Sequence, residues 1–419
     1  MHTEGSQPLS VEHHWSVRLA RTALPLVFVL SASILLSACA VSRPTLQPEE
    51  LEARAREQEE ATARHLQKLV DRTVRRMEQE IAQQERGGPP AVFDILMISG
   101  GGDYGAFAAG VLEGWGEIKD PAWSRPMFDV VTGVSTGALI APFALLGDDQ
   151  SYKRVLGLYE HPKKDWITLR DIFFFLPGRQ SFMDTRGLER DVREQIDPKT
   201  IAAIAAAERD GRTLAIGATN LDLGRMHPWD LTTEASRIEA GELESDRFYK
   251  VLMASAAIPA LFPPVVIDDT LYVDGGTTSN ILYDADLRSS GAPVQLYAER
   301  NRGRALPKFR FWVIVNNQLG GTPQRVEPTW VSITQASVAT AVRSSTIGTL
   351  RQLSLTTELQ RRDGLDVEFH YVAIPDEWRP PVEGGFQAET MQSLSKLGRE
   401  MGRKTESWRA DLSSRPKSE

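Results

Sequence analysis

Apolar positions recur along this chain with two different periods, and the switches between them mark its elements. Across residues 49–86 the chain is charged with both signs interspersed. Leu66, Leu69, Val70, Val74, Met77 and Ile81 return at three- and four-residue spacing there, which lines one face of a helix. Such a face serves either a short coiled coil with a partner, or a helix packed on its own domain or held as a solvated stalk. Gly87-Gly88-Pro89-Pro90 ends it. Residues 92–99 then form a strand-like apolar run, and residues 104–118 take helical spacing through Phe107, Val111, Leu112 and Trp115. Residues 128–132 predict a second strand ending at Gly133, and residues 136–146 a helix that contains Pro142. Further strands are expected at 213–219, 271–273, 309–316 and 367–374, with helices at 201–209 and 248–257. Residues 330–359, rich in Ser, Thr and Ala, read as mostly helical, and residues 409–419 as a disordered tail. Strands alternating with helices predict an α/β fold whose sheet is covered on both faces.

The N-terminal forty residues read as an address. Arg18 and Arg21 precede an apolar run over residues 23–36, closed by Leu36-Ser37-Ala38-Cys39-Ala40. A basic flank, a run of this length and small residues before a cut site are the parts of an export signal. Leu36 to Cys39 resemble a bacterial lipobox, which implies that Cys39 takes a diacylglycerol and that the chain is cut before it. Residues 1–38 would then be a signal peptide, and the mature protein would be held at a membrane by a lipid anchor. The other reading is an uncleaved membrane helix with an incidental Cys39. The run is short for a span and holds Pro25, which counts against it. Ala40 rather than Asp after the cysteine implies the outer membrane, periplasmic side, if the host is Gram-negative.

Charge and cysteine content narrow the function classes. A formal charge of −8 gives no basic field for nucleic acid and no attraction to anionic lipid. Membrane contact must therefore come from apolar groups or an anchor. With Cys39 as the single cysteine, no intrachain disulfide or cysteine metal cluster can form. Phe173-Phe174-Phe175-Leu176-Pro177 reads as buried core or as a lid that dips into lipid.

Three motifs carry chemistry. Gly100-Gly101-Gly102-Asp103-Tyr104-Gly105 lies between a strand and a helix, where backbone N–H groups can approach an anion at the helix N-terminus. A dinucleotide site would also need an acidic residue closing the next strand. Asp129 instead stands at the start of that strand, and its end holds Gly133-Val134-Ser135-Thr136-Gly137. A serine on a strand-to-helix turn is pushed out of the backbone, and Gly133 and Gly137 remove side chains that would block it. Asp274-Gly275-Gly276 puts a carboxylate at the end of another strand. Taken singly, each also fits an ordinary glycine-rich turn.

Together, in this order, these motifs resemble the patatin-like phospholipases. Gly110-Val111-Leu112, Ala218-Thr219-Asn220-Leu221 and the segment from Ala254 to Pro264 extend the resemblance to roughly residues 91–285. It implies a three-layer α/β/α patatin-like fold with a central, mostly parallel sheet. It also implies a lipid acyl hydrolase with Ser135 as nucleophile, Asp274 as its base, and an oxyanion hole from the loop glycines Gly100, Gly101, Gly102 and Gly105, centred on Gly101 and Gly102. The substrate would be a membrane lipid, with no cofactor and no metal. The expected division is residues 1–38 signal, 39–90 tether and amphipathic helix, 91–300 catalytic core, and 301–419 an extension completing the same domain. One position departs from the family. A basic residue usually precedes the last loop glycine, and here Asp103-Tyr104 stands there, which bears on head-group preference and oxyanion geometry. A Ser135–Asp274–His370 triad has the chain order of α/β hydrolases, but His370 falls mid-strand by its alternation. A catalytically silent lipoprotein and an esterase or thioesterase for soluble esters remain the alternative functions.

Overall fold

The computed structural model describes residues 47–169, 181–283, 292–321, 323 and 325–412. Cys39 and the 173–177 cluster lie outside the described residues. The elements in chain order are α1 (Pro48–Glu85), β1 (Val92–Ile98), α2 (Gly105–Trp115), β2 (Val130–Val134), α3 (Thr136–Leu146), α4 (Asp149–Glu160), β3 (Thr168–Leu169) and β4 (Met183–Asp184). Then come α5 (Arg186–Gln195), α6 (Pro198–Arg209), β5 (Thr213–Asn220), β6 (Arg225–Asp230), α7 (Leu231–Glu239), α8 (Ser245–Ser255), β7 (Val265–Ile267) and β8 (Thr270–Asp274). The last are α9 (Pro293–Arg300), β9 (Lys308–Gln318), α10 (Trp330–Arg362), β10 (Val367–Ile374) and α11 (Ala388–Gly402).

Eight strands form the main sheet in the order β10-β9-β1-β2-β5-β8-β7, with β6 also on β5. The run from β10 to β5 is parallel, and β6, β7 and β8 join antiparallel. The strands are apolar on both sides because helices cover both. In β9, Phe309, Phe311, Val313 and Val315 enter one layer, with Val74, Met77 and Ile81 of α1, Tyr297 of α9 and Leu350 and Leu353 of α10. Trp312 and Ile314 enter the other, with Phe107 and Trp115 of α2, Ile140 of α3, Val155 of α4, Leu252 of α8 and Leu394 of α11. The architecture is a three-layer α/β/α sandwich around a mostly parallel sheet.

The apolar face of α1 packs on its own domain through its C-terminal half. Arg72 is buried there and donates to Asp230 and Glu208, both at 2.8 Å, while Leu66 stays exposed. Two expectations are corrected. The second strand does not end before Gly133, because Gly133 pairs in register with Ile98 and Ile216 and carries the strand to Val134. Residue 409 does not begin a free tail. Arg409 exchanges both backbone hydrogen bonds with Tyr371 at 2.8 Å, and the preceding Trp408 is buried against Trp115 and Trp312. Among the described residues no helix is long and apolar enough to cross a membrane.

Candidate active site

The pairing of β5 brings the second and third motifs together. One edge of β5 is occupied by β6 along Ala215–Asn220. The opposite edge is shared: β2 runs parallel beside Thr213 to Gly217, and β8 runs antiparallel beside Ala218 to Asn220. The C-terminal ends of β2 and β8 therefore meet head-on, and the residues that close them are Ser135 and Asp274.

Ser135 caps α3 with φ +56° and ψ −125°, a region that side-chain-bearing residues rarely adopt. The strain is held from both sides. Its N–H donates to Ser255 Oγ at 2.9 Å, and Ser255 Oγ–H donates to Gly217 O at 2.6 Å. Gly137 lets the first turn of α3 lie against the end of β1, since a Cβ there would stand 2.2 Å from Ile98 O. Strand end, strained serine and helix N-terminus thus form one rigid corner, with the helix dipole directed at the serine.

Asp274 donates its N–H to Ala257 O at 2.8 Å, and its Oδ1 accepts the Gly276 N–H at 2.7 Å. The residues from Ala254 to Pro264 therefore fix both partners, the serine through Ser255 and the aspartate through Ala257. Burial pushes the Asp274 carboxyl up to about 6, opposed by the Ser135 hydroxyl and the Gly276 N–H. Asp274 Oδ2 is buried without a fully formed hydrogen bond among the described residues. The Ser135 hydroxyl is the side-chain group that acts on this carboxyl.

The glycine loop passes over the same corner. Of the four loop glycines, Gly100 donates its N–H to Asn280 O at 3.1 Å, and Gly105 turns its N–H back onto the carbonyls of Gly102 and Asp103. Neither has a free donor, which narrows the expected oxyanion set. The N–H groups of Gly101 and Gly102 donate to no protein acceptor among the described residues. Gly102 holds φ +61° with open space where a Cβ would be, and it lines the pocket beside Ser135. Three amides that sequence reading missed hold the loop. Asn316 donates to Ser99 O at 2.8 Å and accepts the Ala108 N–H at 3.1 Å, Asn317 donates to Gly100 O at 2.9 Å, and Asn280 donates to Gly100 O at 3.3 Å. Two consecutive amides closing a buried apolar strand were the signal available for Asn316 and Asn317.

Beside Ser135 lies a narrow apolar pocket, with a cavity volume of about 20 Å³, lined by Leu139, Tyr159, Trp166, Leu188, Phe262 and Phe386 among others. The departure at Asp103-Tyr104 has a structural use here. Burial raises the Asp103 carboxyl, whose Oδ2 accepts the Phe386 N–H at 2.8 Å, and Tyr104 meets Trp378 edge-on at 5.4 Å. These two residues bind the segment around residues 378–386 to the glycine loop, and Phe386 becomes a pocket wall.

His370 is elsewhere. It sits mid-strand on β10, at the far edge of the sheet, stacked on Trp312 and beside Glu368 at 3.4 Å. Burial lowers its pKa. Its position gives it structural neighbours and no route to Ser135.

Residues 96–287 match the family model for patatin-like phospholipase. An uncharacterized protein, R571 of Acanthamoeba polyphaga mimivirus, is 27% identical over 197 residues, covering 46% of this chain and 62% of its own length. The chain thus spans about three-fifths of that relative. Two solved structures are similar at low level. VipD from Legionella pneumophila is 12% identical with a TM-score of 0.33, over 75% of this chain and 68% of its own. The type III effector protein ExoU is 14% identical with a TM-score of 0.32, over 75% of this chain and 53% of its own. The motif order and the family match agree on the same stretch, and it is residues 96–287 that match the patatin-like phospholipase domain model.

Proposed function

We propose that this protein hydrolyses acyl esters of membrane lipids with Ser135 as nucleophile and Asp274 as its base. The observation that carries the reading is the meeting of a strained, helix-capping serine with a buried carboxylate of raised pKa beside an apolar pocket. In the first half-reaction Ser135 Oγ bonds to the ester carbonyl carbon while its proton passes to Asp274. The carbonyl oxygen gains the negative charge and takes hydrogen bonds from Gly101 and Gly102 N–H, each such donor contributing about 3 kcal/mol. Collapse breaks the ester C–O bond, and the proton on Asp274 leaves with the alcohol. Water then repeats the sequence on the acyl-enzyme, freeing the fatty acid and restoring Ser135. The pocket's apolar lining matches the chemistry of an acyl chain, which would have to part those side chains to enter.

The targeting reading completes the proposal. A diacylglycerol on Cys39 would hold the enzyme at its substrate, on the periplasmic side of an outer membrane in a Gram-negative host. Fatty-acid release from mixed phospholipid vesicles tests the chemistry, comparing the wild type with Ser135→Ala, Asp274→Asn and His370→Ala. Both dyad variants should lose nearly all release while His370→Ala keeps it. A folded wild type that releases nothing from any acyl ester would sink the hydrolase reading and favour a silent lipid-binding lipoprotein. Preference for short, soluble esters over vesicle lipid would favour the esterase.

A further inference from the structure

The N-terminal half of α10 lies on the surface without the charges that surface helices normally carry. Residues 328–342 contain no charged side chain, and Glu327 and Arg343 bound the stretch. Its polar positions are Thr329, Ser332, Thr334, Gln335, Ser337 and Thr340. Trp330, Ile333 and Val338 nevertheless stand 60%, 50% and 39% exposed. A solvent-facing helix without charges and with a bulky apolar set on view marks a surface that meets an apolar partner.

Its position says which partner. Val342 stands against Gly276, next to Asp274, and Thr346 one turn later accepts the Asn280 amide at 2.9 Å. At the other end the Trp330 ring lies 5.6 Å from the Phe182 ring, and Phe182 donates its N–H to Ala260 O at 2.9 Å, beside pocket-lining Ile258 and Phe262. The half-helix thus runs from the Asp274 loop to the pocket rim, a span of roughly 18 Å at 1.5 Å per residue. The apolar surface continues past Phe182. Met183 pairs with Leu169, which is 76% exposed.

We propose that residues 330–342 form a docking surface for a neutral, loosely packed phospholipid membrane, turning the mouth of the Ser135 site toward the lipid. The proposal rests on the lipid-hydrolase reading above and gives it an orientation. A Ser/Thr-rich, uncharged polar side cannot bind through head-group charge, and a net −8 opposes anionic surfaces. Sparse bulky side chains on such a helix insert where acyl chains show between head groups. Trp330 belongs at the head-group boundary, where indole rings collect. A lipid anchor at Cys39 would keep the protein near a bilayer without turning it, whereas this surface adjoins the pocket and turns it.

The contact is tested on the full chain carrying Ser135→Ala, so that lipid is not consumed, bound to phosphatidylcholine vesicles with brominated acyl chains. Bromolipid should quench part of the tryptophan fluorescence, more in small, highly curved vesicles than in large ones. That part should vanish in Trp330→Phe and persist at high salt. In the active enzyme, Ile333→Asp with Val338→Asp should lower vesicle hydrolysis at least tenfold and leave hydrolysis of a water-soluble short-chain ester unchanged. Equal quenching with and without Trp330 overturns the proposal, as does unchanged vesicle hydrolysis. Quenching that needs anionic lipid overturns it also. So does a change in oligomeric size in the double Asp variant, which would make a second copy the occupant. Quenching needs no catalysis, so loss of the hydrolase reading and loss of the docking reading are separately visible.

Discussion

Asp274→Asn removes the proposed base and, with it, a buried negative charge that the fold must tolerate. The carboxyl of Asp274 is ordinary in the unfolded chain, near 3.8, and rises to about 6 in the folded protein because burial disfavours its charge. Between those values the native state keeps a proton that the unfolded state has lost. Stability is therefore full below about pH 4, falls as pH rises through 6, and stays lower above it. At about 1.4 kcal/mol per pH unit the loss at neutral pH is roughly 3 kcal/mol. Asn has no charge to bury, and its carbonyl can keep the Gly276 N–H. The variant should thus match the wild type near pH 4 and gain stability progressively up to pH 7. With an unfolding entropy of about 2.1 cal/mol/K per residue, that gain corresponds to roughly 4 °C in Tm. Scanning both proteins from pH 4.5 to 8 isolates this carboxyl, because other buried acids such as Asp129, raised to about 6, are common to both. The reasoning is refuted by a Tm difference that does not change with pH, or by a wild type that is the more stable protein at pH 8.

Four further outcomes are expected. With a soluble ester, kcat/KM should rise tenfold per pH unit below about 6 and level off above it, because only ionised Asp274 can accept the serine proton; full activity at pH 4.5 would contradict that. Gly137→Ala would put a methyl group 2.2 Å from Ile98 O and disturb the corner that strains Ser135, so activity should fall at least a hundredfold with the fold destabilised. Normal turnover in that variant would count against the corner. Asn316→Ala leaves Ser99 O and Ala108 N–H without their buried partner, which costs about 2–4 kcal/mol in urea unfolding, and it should lower kcat more than it raises KM. Arg72→Met leaves Asp230 buried without its guanidinium, so unfolding should shift by about 3–5 kcal/mol; no shift would mean that α1 is dispensable to the domain.

What the sequence made legible was backbone geometry that few residues can supply. The glycine loop, the serine corner and the Asp-Gly-Gly turn each announce themselves because their close approaches or unusual dihedrals exclude most side chains. The parallel strands were legible for a related reason, as apolar runs buried on both faces. What escaped lacks both signals. β6 reads Arg-Met-His-Pro-Trp-Asp, with no alternation and a proline, and it exists because β5 offers it a free edge. α11 escaped because its contact with α2 is made through backbone. Cβ atoms on Gly398 and Gly402 would meet Phe107 O and Val111 O at 2.2 and 2.3 Å, and on Gly110 and Gly114 they would meet Ser395 O and Arg399 O at 2.2 Å. A helix pair built on glycines leaves little apolar stripe to read.

The site itself escaped in one specific respect, the proximity of its parts. Nothing in a run ending at Ser135 or a run ending at Asp274 states that the two ends touch. That follows from β5 offering one edge to two strands of opposite direction, so that β2 stops at Gly217 and β8 stops at Ala218. On the proposed dyad, the same junction would let a buried carboxylate serve as base without a histidine between it and the serine. A triad spans the distance from a loop to the nucleophile with an imidazole. Two strand ends meeting on one edge need no such bridge, because the carboxylate arrives on a strand and its neighbours are fixed by the ladder. Burial at that junction raises the carboxyl toward the pH at which a base works best, which ties the destabilising charge and the proposed catalytic role of Asp274 to a single cause.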